Sequence, residues 1–277
     1  MNRSVPQVSV CIPTYRGAQT IGPAIASVLA QTFADFELIV IDDCSPDDTA
    51  TVVAGFDDTR IRYLRNDSNL GPEGNWNRCL ELARGNYFKL LPHDDLLHPD
   101  CLERQVAVLD HDAEQRIALV FSARDVLTPE GRRVMRRGYP GASEGLISAA
   151  EVFRHCVRRG TNLLGEPGAV IFRRSLAEVV GRFDAKEPYV IDMDYWFRLL
   201  AHGHAHYCAD PLAAFRVSGG QWSVALAGRQ SADFLRCIKR HVGIGNLKLS
   251  WLDRLIGRFT PALNNLARQA FYRLYLQ

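Results

Sequence analysis

The chain lacks most of the short signatures that declare a function on sight. Its 277 residues hold seven cysteines (Cys11, Cys44, Cys79, Cys101, Cys156, Cys208, Cys237) and no CxxC pair. An odd number of scattered thiols fits neither a disulfide framework nor zinc-ligand spacing, so reduced cysteines in a cytoplasmic protein are expected. No apolar run approaches the roughly 20 residues needed to span a bilayer. The first apolar run continues as CIPTYRGAQTIG, without GxGxxG, and no Walker loop occurs, which argues against a dinucleotide-dependent dehydrogenase and a P-loop enzyme. Formal net charge is only +2, too small for a chain-wide nucleic-acid surface, so no nucleic-acid partner is expected. MNRSVPQVSVCIPTY enters a strand pattern at once, and no secretory signal is expected. What remains is ordinary globular composition, 47% hydrophobic and 23% charged, long enough for one large domain with or without an appendage.

The apolar pattern alternates between two periods. Val8–Ile12 is a continuous apolar run that suits a buried strand, and Ile21–Gln31 carries Ile21, Ala24, Ile25, Val28 and Leu29 at helical spacing. Phe36–Ile41, Ile61–Leu64, Tyr87–Leu91 and Ile117–Phe121 read as further strands. Helices are predicted from Asp47, over Asn75–Arg84, and over Pro99–His111, which opens on proline. Strands and helices in this rhythm imply βαβ units and a mostly parallel central sheet flanked by helices, an α/β fold. Beyond Leu127 the pattern loosens: Thr128–Ser148 reads as a loop rich in Gly, Arg and Pro. A helix near Ala149–Arg159, a strand at Gly168–Phe172, a helix from Ser175 and a helix over Asp192–His202 follow.

In parallel sheets, ligands bind beyond the carboxyl ends of the strands. The polar clusters sit there: Thr14 and Tyr15 after the first strand, Asp42 and Asp43 after the second, Asp94 and Asp95 after the fourth. Tyr15 either packs or flanks a planar base. Asp43 either caps the following helix or accepts from a base N–H or a ribose hydroxyl. Two adjacent aspartates repel and neither tolerates unpaired burial, so Asp94 and Asp95 are either helix caps or oxygen ligands for a divalent ion such as Mg²⁺ or Mn²⁺. Asp192 and Asp194 open a helix, where acids complement the dipole. Alternatively one of them is a base that deprotonates an attacking hydroxyl.

Taken in order, VSVCIPTYRGAQTIGPAIASVLAQTFADFELIVIDDCSPDDT, NDSNLGPEGNWNRCLELARGNYFKLLPHDDLLHP, NLLGEPGAVIFRR, VGRFD, DMDYWFRLLAHG and DPLAAFRVSGGQWS resemble the family 2 glycosyltransferases, from about Val8 to Ser223. The resemblance implies a Rossmann-like GT-A fold and an inverting transfer from a nucleotide-diphosphate sugar, UDP-sugar being the commoner donor. It further implies a divalent metal, Mn²⁺ or Mg²⁺, and a saccharide or lipid-linked acceptor in surface polysaccharide or glycolipid synthesis. Pro13, Thr14, Tyr15 and Asp43 match nucleotide-binding positions, and Asn75, Trp76 and His93 fall beside them. Asp94 matches the metal ligand and also meets the nucleotide, with Asp95 as second choice. Asp192 matches the base, with Asp194 as second choice. Four positions depart from the family pattern: Pro92 replaces the first acid of DxD, Trp76 an arginine, Ile191 the glutamate before the base, and Ser218 a histidine. Glu166 and the Gly165–Gly168 turn are acceptor-side candidates.

Residues 1–224 are thus expected to form the catalytic domain, with a nucleotide half to about 125 and an acceptor half beyond. Residues 225–277 carry nine Lys or Arg against Asp233 and Asp253, interleaved with leucines and aromatics, and are expected to form a basic amphipathic helical region. Such a region lies either on the anionic inner face of a membrane or packed on the catalytic domain or a second subunit. Two other readings differ in testable ways. A sugar-1-phosphate nucleotidyltransferase wants a glycine-rich basic loop after the first strand, of which Arg16-Gly17 is a poor version. A non-catalytic sugar-nucleotide-binding scaffold would turn over nothing.

Overall fold

The first strand, β1 (Val8–Thr14), is buried along its whole length, as a continuous apolar run requires when both sheet faces are covered. In the computed structural model, which describes residues 5–217, 226–245 and 247–275, β1 pairs in parallel with β2 (Phe36–Asp42) after the crossover helix α1 (Ile21–Leu29). Helix α2 (Thr49–Ala54) leads to β3 (Ile61–Arg65), and α3 (Gly71–Leu82) to β4 (Tyr87–Leu90), completing a parallel block ordered β3-β2-β1-β4. Pro13 stands near the end of this strand. The Cys11 carbonyl accepts from Leu91 N on the β4 side, the register with β4 ends at Cys11, and Pro13, which has no N–H, does not extend it.

The second half is built differently. After β5 (Leu96–Leu97) and α4 (Cys101–Asp110) comes β6 (Ile117–Leu127), buried over eleven residues. The predicted loop at 128–148 instead contains β7 (Arg133–Arg137) and β8 (Gly145–Ile147). β7 hides in the sequence because it is an Arg-rich edge strand, the charges that blunt such an edge also erasing its apolar signal. Helix α5 (Ala149–Arg159), β9 (Val170–Arg173), α6 (Arg174–Val180) and α7 (Ile191–Leu200) then lead into β10 (His204–Arg216), a thirteen-residue strand that the sequence pattern does not reveal. Its register slips around Pro211, so neither alternation nor a continuous run survives. β9 runs antiparallel between β4 and β6, and β10 lies parallel to β6. The α/β fold with a helix-flanked central sheet is as expected, with the parallel order concentrated in the first half and a mixed order in the second.

Two helices close the chain, α8 (Gln230–His241) and α9 (Trp251–Tyr275). The expected boundary at 224 and 225, and Ser218, lie outside the described residues. α9 packs on α5 at two glycines. A Cβ on Gly257 would stand 2.4 Å from Val157 Cγ1, and one on Gly160 would stand 2.5 Å from Pro261 N. Gly160 also has φ +64°, left-handed, at the carboxyl end of α5. Gly160→Val, which meets both the strain and the clash, is expected to cost on the order of 3 kcal/mol, read as a lowered melting temperature, whereas Gly228→Val, with nothing near its Cβ, should barely move it.

Candidate active site

The carboxyl ends of β1, β2 and β4 and the amino end of α7 open on one cleft of about 1790 Å³. β1 delivers Pro13, Thr14 and Tyr15 to it. Tyr15 is 39% exposed and the Arg16 guanidinium lies 5.2 Å above its ring, so the side chain stands at the cleft instead of packing into the core. Gly17 lets the turn close tightly: a Cβ there would stand 2.2 Å from Thr14 Oγ1 and 3.3 Å from His93. Thr14 Oγ1 is buried without a hydrogen-bond partner, an uncommon state for a hydroxyl and one that a polar ligand in the cleft would relieve.

At the end of β2 the two aspartates divide their work. Asp42 accepts from Ser45 N at 2.9 Å and from the Tyr63 hydroxyl at 2.7 Å, shaping the loop. Asp43 does not cap the following helix, contrary to one of its two expected roles. Its Oδ1 accepts from Asn66 Nδ2 and Leu70 N, both at 2.8 Å, and its Oδ2 from Gly71 N at 2.9 Å. It therefore fastens the start of α3, where Asn75 and Trp76 face the cleft. Asn75 donates to the Ile41 carbonyl at 3.1 Å and accepts from Asn66 at 3.2 Å, and Trp76 packs edge-to-face on Phe183 at 5.4 Å. Asp43→Ala strands three donors and is expected to cost on the order of 3 kcal/mol, measurable by denaturant unfolding.

After β4 come His93, Asp94 and Asp95. Asp95 is buried and accepts from Arg216 N at 3.1 Å, tying the turn to the end of β10. No cap of α4 is made by it; Asp100 stands at that position. Burial first, and then the neighbouring charge of Asp94, pushes the Asp95 carboxyl well above the usual carboxylate range. Asp94 and Asp95 offer oxygen donors at this turn beside the His93 imidazole, with Asp94 half-buried at the cleft wall. Two crowded carboxylates repel each other, and a hard divalent cation would relieve that repulsion, so these residues fit Mg²⁺ or Mn²⁺ held through one or two carboxylates.

The two acids of α7 part ways, because residues two apart on a helix point about 200° apart. Asp192 reaches the cleft. It accepts from Asn162 Nδ2 at 3.0 Å and from Met193 N at 2.7 Å, while burial, with the charge of Glu166, pushes its carboxyl up to about 7. Asp194, the second choice for the base, points the other way. It is buried and bonded to His241 Nε2 at 2.7 Å and to Arg198 and Arg240 at 3.0 Å each. Burial opposes its ionisation, but His241 and the two guanidiniums hold its carboxyl below the usual range. Asp194 is therefore a structural anion joining α7 to α8, with no path to the cleft. Its neighbours Cys237 and His241 bring ligand atoms within 4.8 Å of one another and of Asp194. That cluster does not fit a cation, since two guanidiniums already neutralise the carboxylate and burial keeps the Cys237 thiol protonated.

Other residues meet at the cleft, among them Glu166, an expected acceptor-side candidate, and Asn162, which the sequence reading does not single out. Asn162 orients Asp192 while its Oδ1 accepts from Leu164 N at 3.0 Å and Gly165 N at 3.2 Å. Glu166 is paired with Arg124 at 2.5 Å; burial works against its ionisation, but Arg124 and Arg137 hold it below the usual range. Both Asn162 and Glu166 fall in NLLGEPG, part of a segment that carries the family resemblance. α8 and α9 also form cleft wall through Gln230, Phe234, Asn264 and Arg268, the last lying 5.5 Å over the Tyr189 ring.

Comparison with known proteins bears on the family and the fold. The profile described as Glycosyl transferase family 2 matches residues 9–181. The succinoglycan biosynthesis protein ExoO of Rhizobium meliloti is 32% identical over 214 residues, covering 76% of this chain and 60% of ExoO. A UDP-Glc:alpha-D-GlcNAc-diphosphoundecaprenol beta-1,3-glucosyltransferase of Escherichia coli, WfgD, is 39% identical over 102 residues, 37% of this chain and 40% of WfgD. The chain spans 60–67% of the length of several curated relatives that it matches. Among solved structures, S. aureus TarS 1–349 in complex with UDP superposes with a TM-score of 0.70 at 17% identity, over 98% of this chain and 75% of that one. This likeness is one of fold, and the fold is GT-A. By the family profile that spans its parallel half and continues through α6, the chain belongs to glycosyl transferase family 2.

Proposed function

We propose that the chain transfers a sugar, with inversion, from a nucleotide-diphosphate donor to a hydroxyl of a saccharide or lipid-linked acceptor in surface polysaccharide or glycolipid synthesis. The observation that carries the reading is the meeting, in one cleft, of a carboxyl poised near neutrality (Asp192) and a nucleotide-type sheet edge (Tyr15, Asp43, Asp94). UDP is the favoured nucleotide, supported by the donor named for WfgD and by the UDP bound to TarS. The acceptor class is supported by the diphosphoundecaprenol-linked substrate of WfgD and the polysaccharide role of ExoO.

In this reading Tyr15 flanks the base and Asp43 offers its carboxylate edge to a base N–H or a ribose hydroxyl. A bound divalent ion, held by Asp94 with Asp95 behind it, would neutralise charge on the diphosphate. Asp192 accepts the acceptor hydroxyl proton as that oxygen forms its bond to the anomeric carbon. The bond from that carbon to the diphosphate oxygen breaks, and its electron pair leaves with the nucleoside diphosphate. A base whose pKa lies near the working pH suits this task. Asn162 holds Asp192 in place, and Glu166 sustains its raised pKa, itself kept ionised by Arg124.

The base must be ionised to act, so turnover is expected to rise with pH through about 7. A pH profile of UDP release from UDP-sugars, with a polyprenyl-diphosphate sugar as acceptor, tests this. A limb centred near 4 would contradict the raised pKa of Asp192. Pyrophosphate release from a nucleoside triphosphate and a sugar 1-phosphate would replace the reading by nucleotidyl transfer.

A further inference from the structure

α9 has two faces with different chemistry. The inner face is fixed by its contacts with α5. Asp253 pairs with Arg158, Thr260 Oγ1 donates to the Val157 carbonyl at 3.2 Å, Asn264 donates to the Arg159 carbonyl, and Gly257 admits Val157. Those contacts turn the other side outward. There Trp251, Leu252, Leu255, Phe259, Leu263 and Leu266 are all exposed, Trp251 at 75%, Phe259 at 59%, Leu263 at 64% and Leu266 at 65%. At about 100° per residue these six fall within an arc of roughly 120°, a continuous apolar stripe over four turns. Scattered exposed leucines need no explanation; a stripe of six large apolar side chains does.

The charges beside the stripe point to its occupant. Arg254 and Arg258 are exposed along one edge, and Lys248 is exposed just before the helix. From Leu247 to Ala270 the sequence has one acid, Asp253, which is buried and consumed by Arg158 and Ser250. The rim is therefore cationic and carries no exposed acid. A second copy docking face to face would set like-charged rims against each other, since a two-fold interface pairs a patch with itself. An anionic lipid surface complements both parts at once, taking the leucines and aromatics at its interface and the arginines at its headgroups. We infer that the outer face of α9 docks the protein on anionic membrane.

The consequence deepens the proposed function and rests on it. The inner face of the same helix contributes Pro261, Asn264, Asn265 and Arg268 to the cleft. Docking would hold the acceptor side of the cleft at the bilayer, where the sugar of a lipid-linked acceptor is found. Vesicle binding, however, does not depend on what the cleft does.

The test is co-sedimentation of the full chain with phosphatidylcholine vesicles and with vesicles containing about one-third phosphatidylglycerol. Binding is expected to the anionic vesicles, weakening as salt rises. The triple variant Leu255→Asp, Phe259→Asp, Leu263→Asp should lower the partition coefficient at least about a hundredfold. Arg254→Glu with Arg258→Glu should lower it about tenfold or more and flatten the salt dependence. All five side chains are exposed, and an unchanged melting temperature would verify the fold. Failure of wild type to bind anionic vesicles, or equal binding by the triple variant, overturns the inference. So does a dimer in analytical ultracentrifugation that the triple variant dissolves, which would make this face a protein interface. Calorimetric binding of UDP to the same variants keeps the outcomes separate. Lost vesicle binding with intact UDP binding confines the loss to α9's outer face, whereas absent UDP binding in wild type would undo the reading of the cleft and leave the docking result standing.

Discussion

Asp192→Asn is expected to lower turnover by about a thousandfold while leaving nucleotide affinity within about twofold. The substitution keeps the shape of the side chain, but Asp192 accepts from Asn162 through Oδ2 and from Met193 N through Oδ1, so asparagine keeps one of these two acceptors and loses the other. It also removes the capacity to take a proton. A second signature follows from linkage. The folded carboxyl titrates near 7 because burial, helped by Glu166, disfavours its charged form, whereas an unfolded aspartate ionises near 4. Stability is therefore fullest below the unfolded value and falls as pH rises toward 7, where the folded group is at last ionised. Asparagine carries no such burden. The melting temperature of Asp192→Asn relative to wild type should thus rise from pH 4 to pH 8, the trade of stability for activity expected at a catalytic site. A merely structural Asp192, placed to meet the helix dipole, would instead lose stability on substitution and leave turnover nearly intact.

Asp94→Ala is expected to weaken metal-dependent binding of the donor by at least about a hundredfold, the upper end of what losing even an outer-shell partner costs a metal site. Binding measured without metal should change little, because Tyr15, Asp43 and Asn75 are untouched. The contrast with Asp95→Asn is informative. Asp95 is buried, holds Arg216 N, and has a carboxyl raised by burial and by Asp94. Its neutral amide should preserve the turn, so a smaller loss of affinity is expected, on the order of tenfold. Equal losses from both variants would shift the principal ligand from Asp94 to the pair.

Legibility differed along the chain for identifiable reasons. β1, β2 and β4 were readable because parallel strands buried on both faces appear as uninterrupted apolar runs, and their polar ends stand out against them. β10 was not, since the slips of register around Pro211 break every simple period. The acids of α7 could be located but not told apart from local pattern: two positions on opposite helix faces look alike until the packing of α8 shows that Asp194 is held by His241, Arg198 and Arg240. Arg137, Asn162 and Arg268 reach the cleft from β7, a connecting turn and α9, elements remote in sequence, and no window of the chain displays that convergence. The basic, aromatic-laced tail was visible as composition. Which of its residues face outward depends on Gly257 and Gly160, whose small size sets how α9 lies on α5.

The central claim is that this cleft is a metal-assisted site for a nucleoside diphosphate. The most direct test is a calorimetric titration of UDP into the wild-type chain with Mn²⁺ present and with Mn²⁺ removed by chelation. Saturable one-to-one binding with Mn²⁺, weakened at least about tenfold by chelation, is the expected result. UDP binding that ignores the metal, or no binding of UDP in either condition, would contradict it.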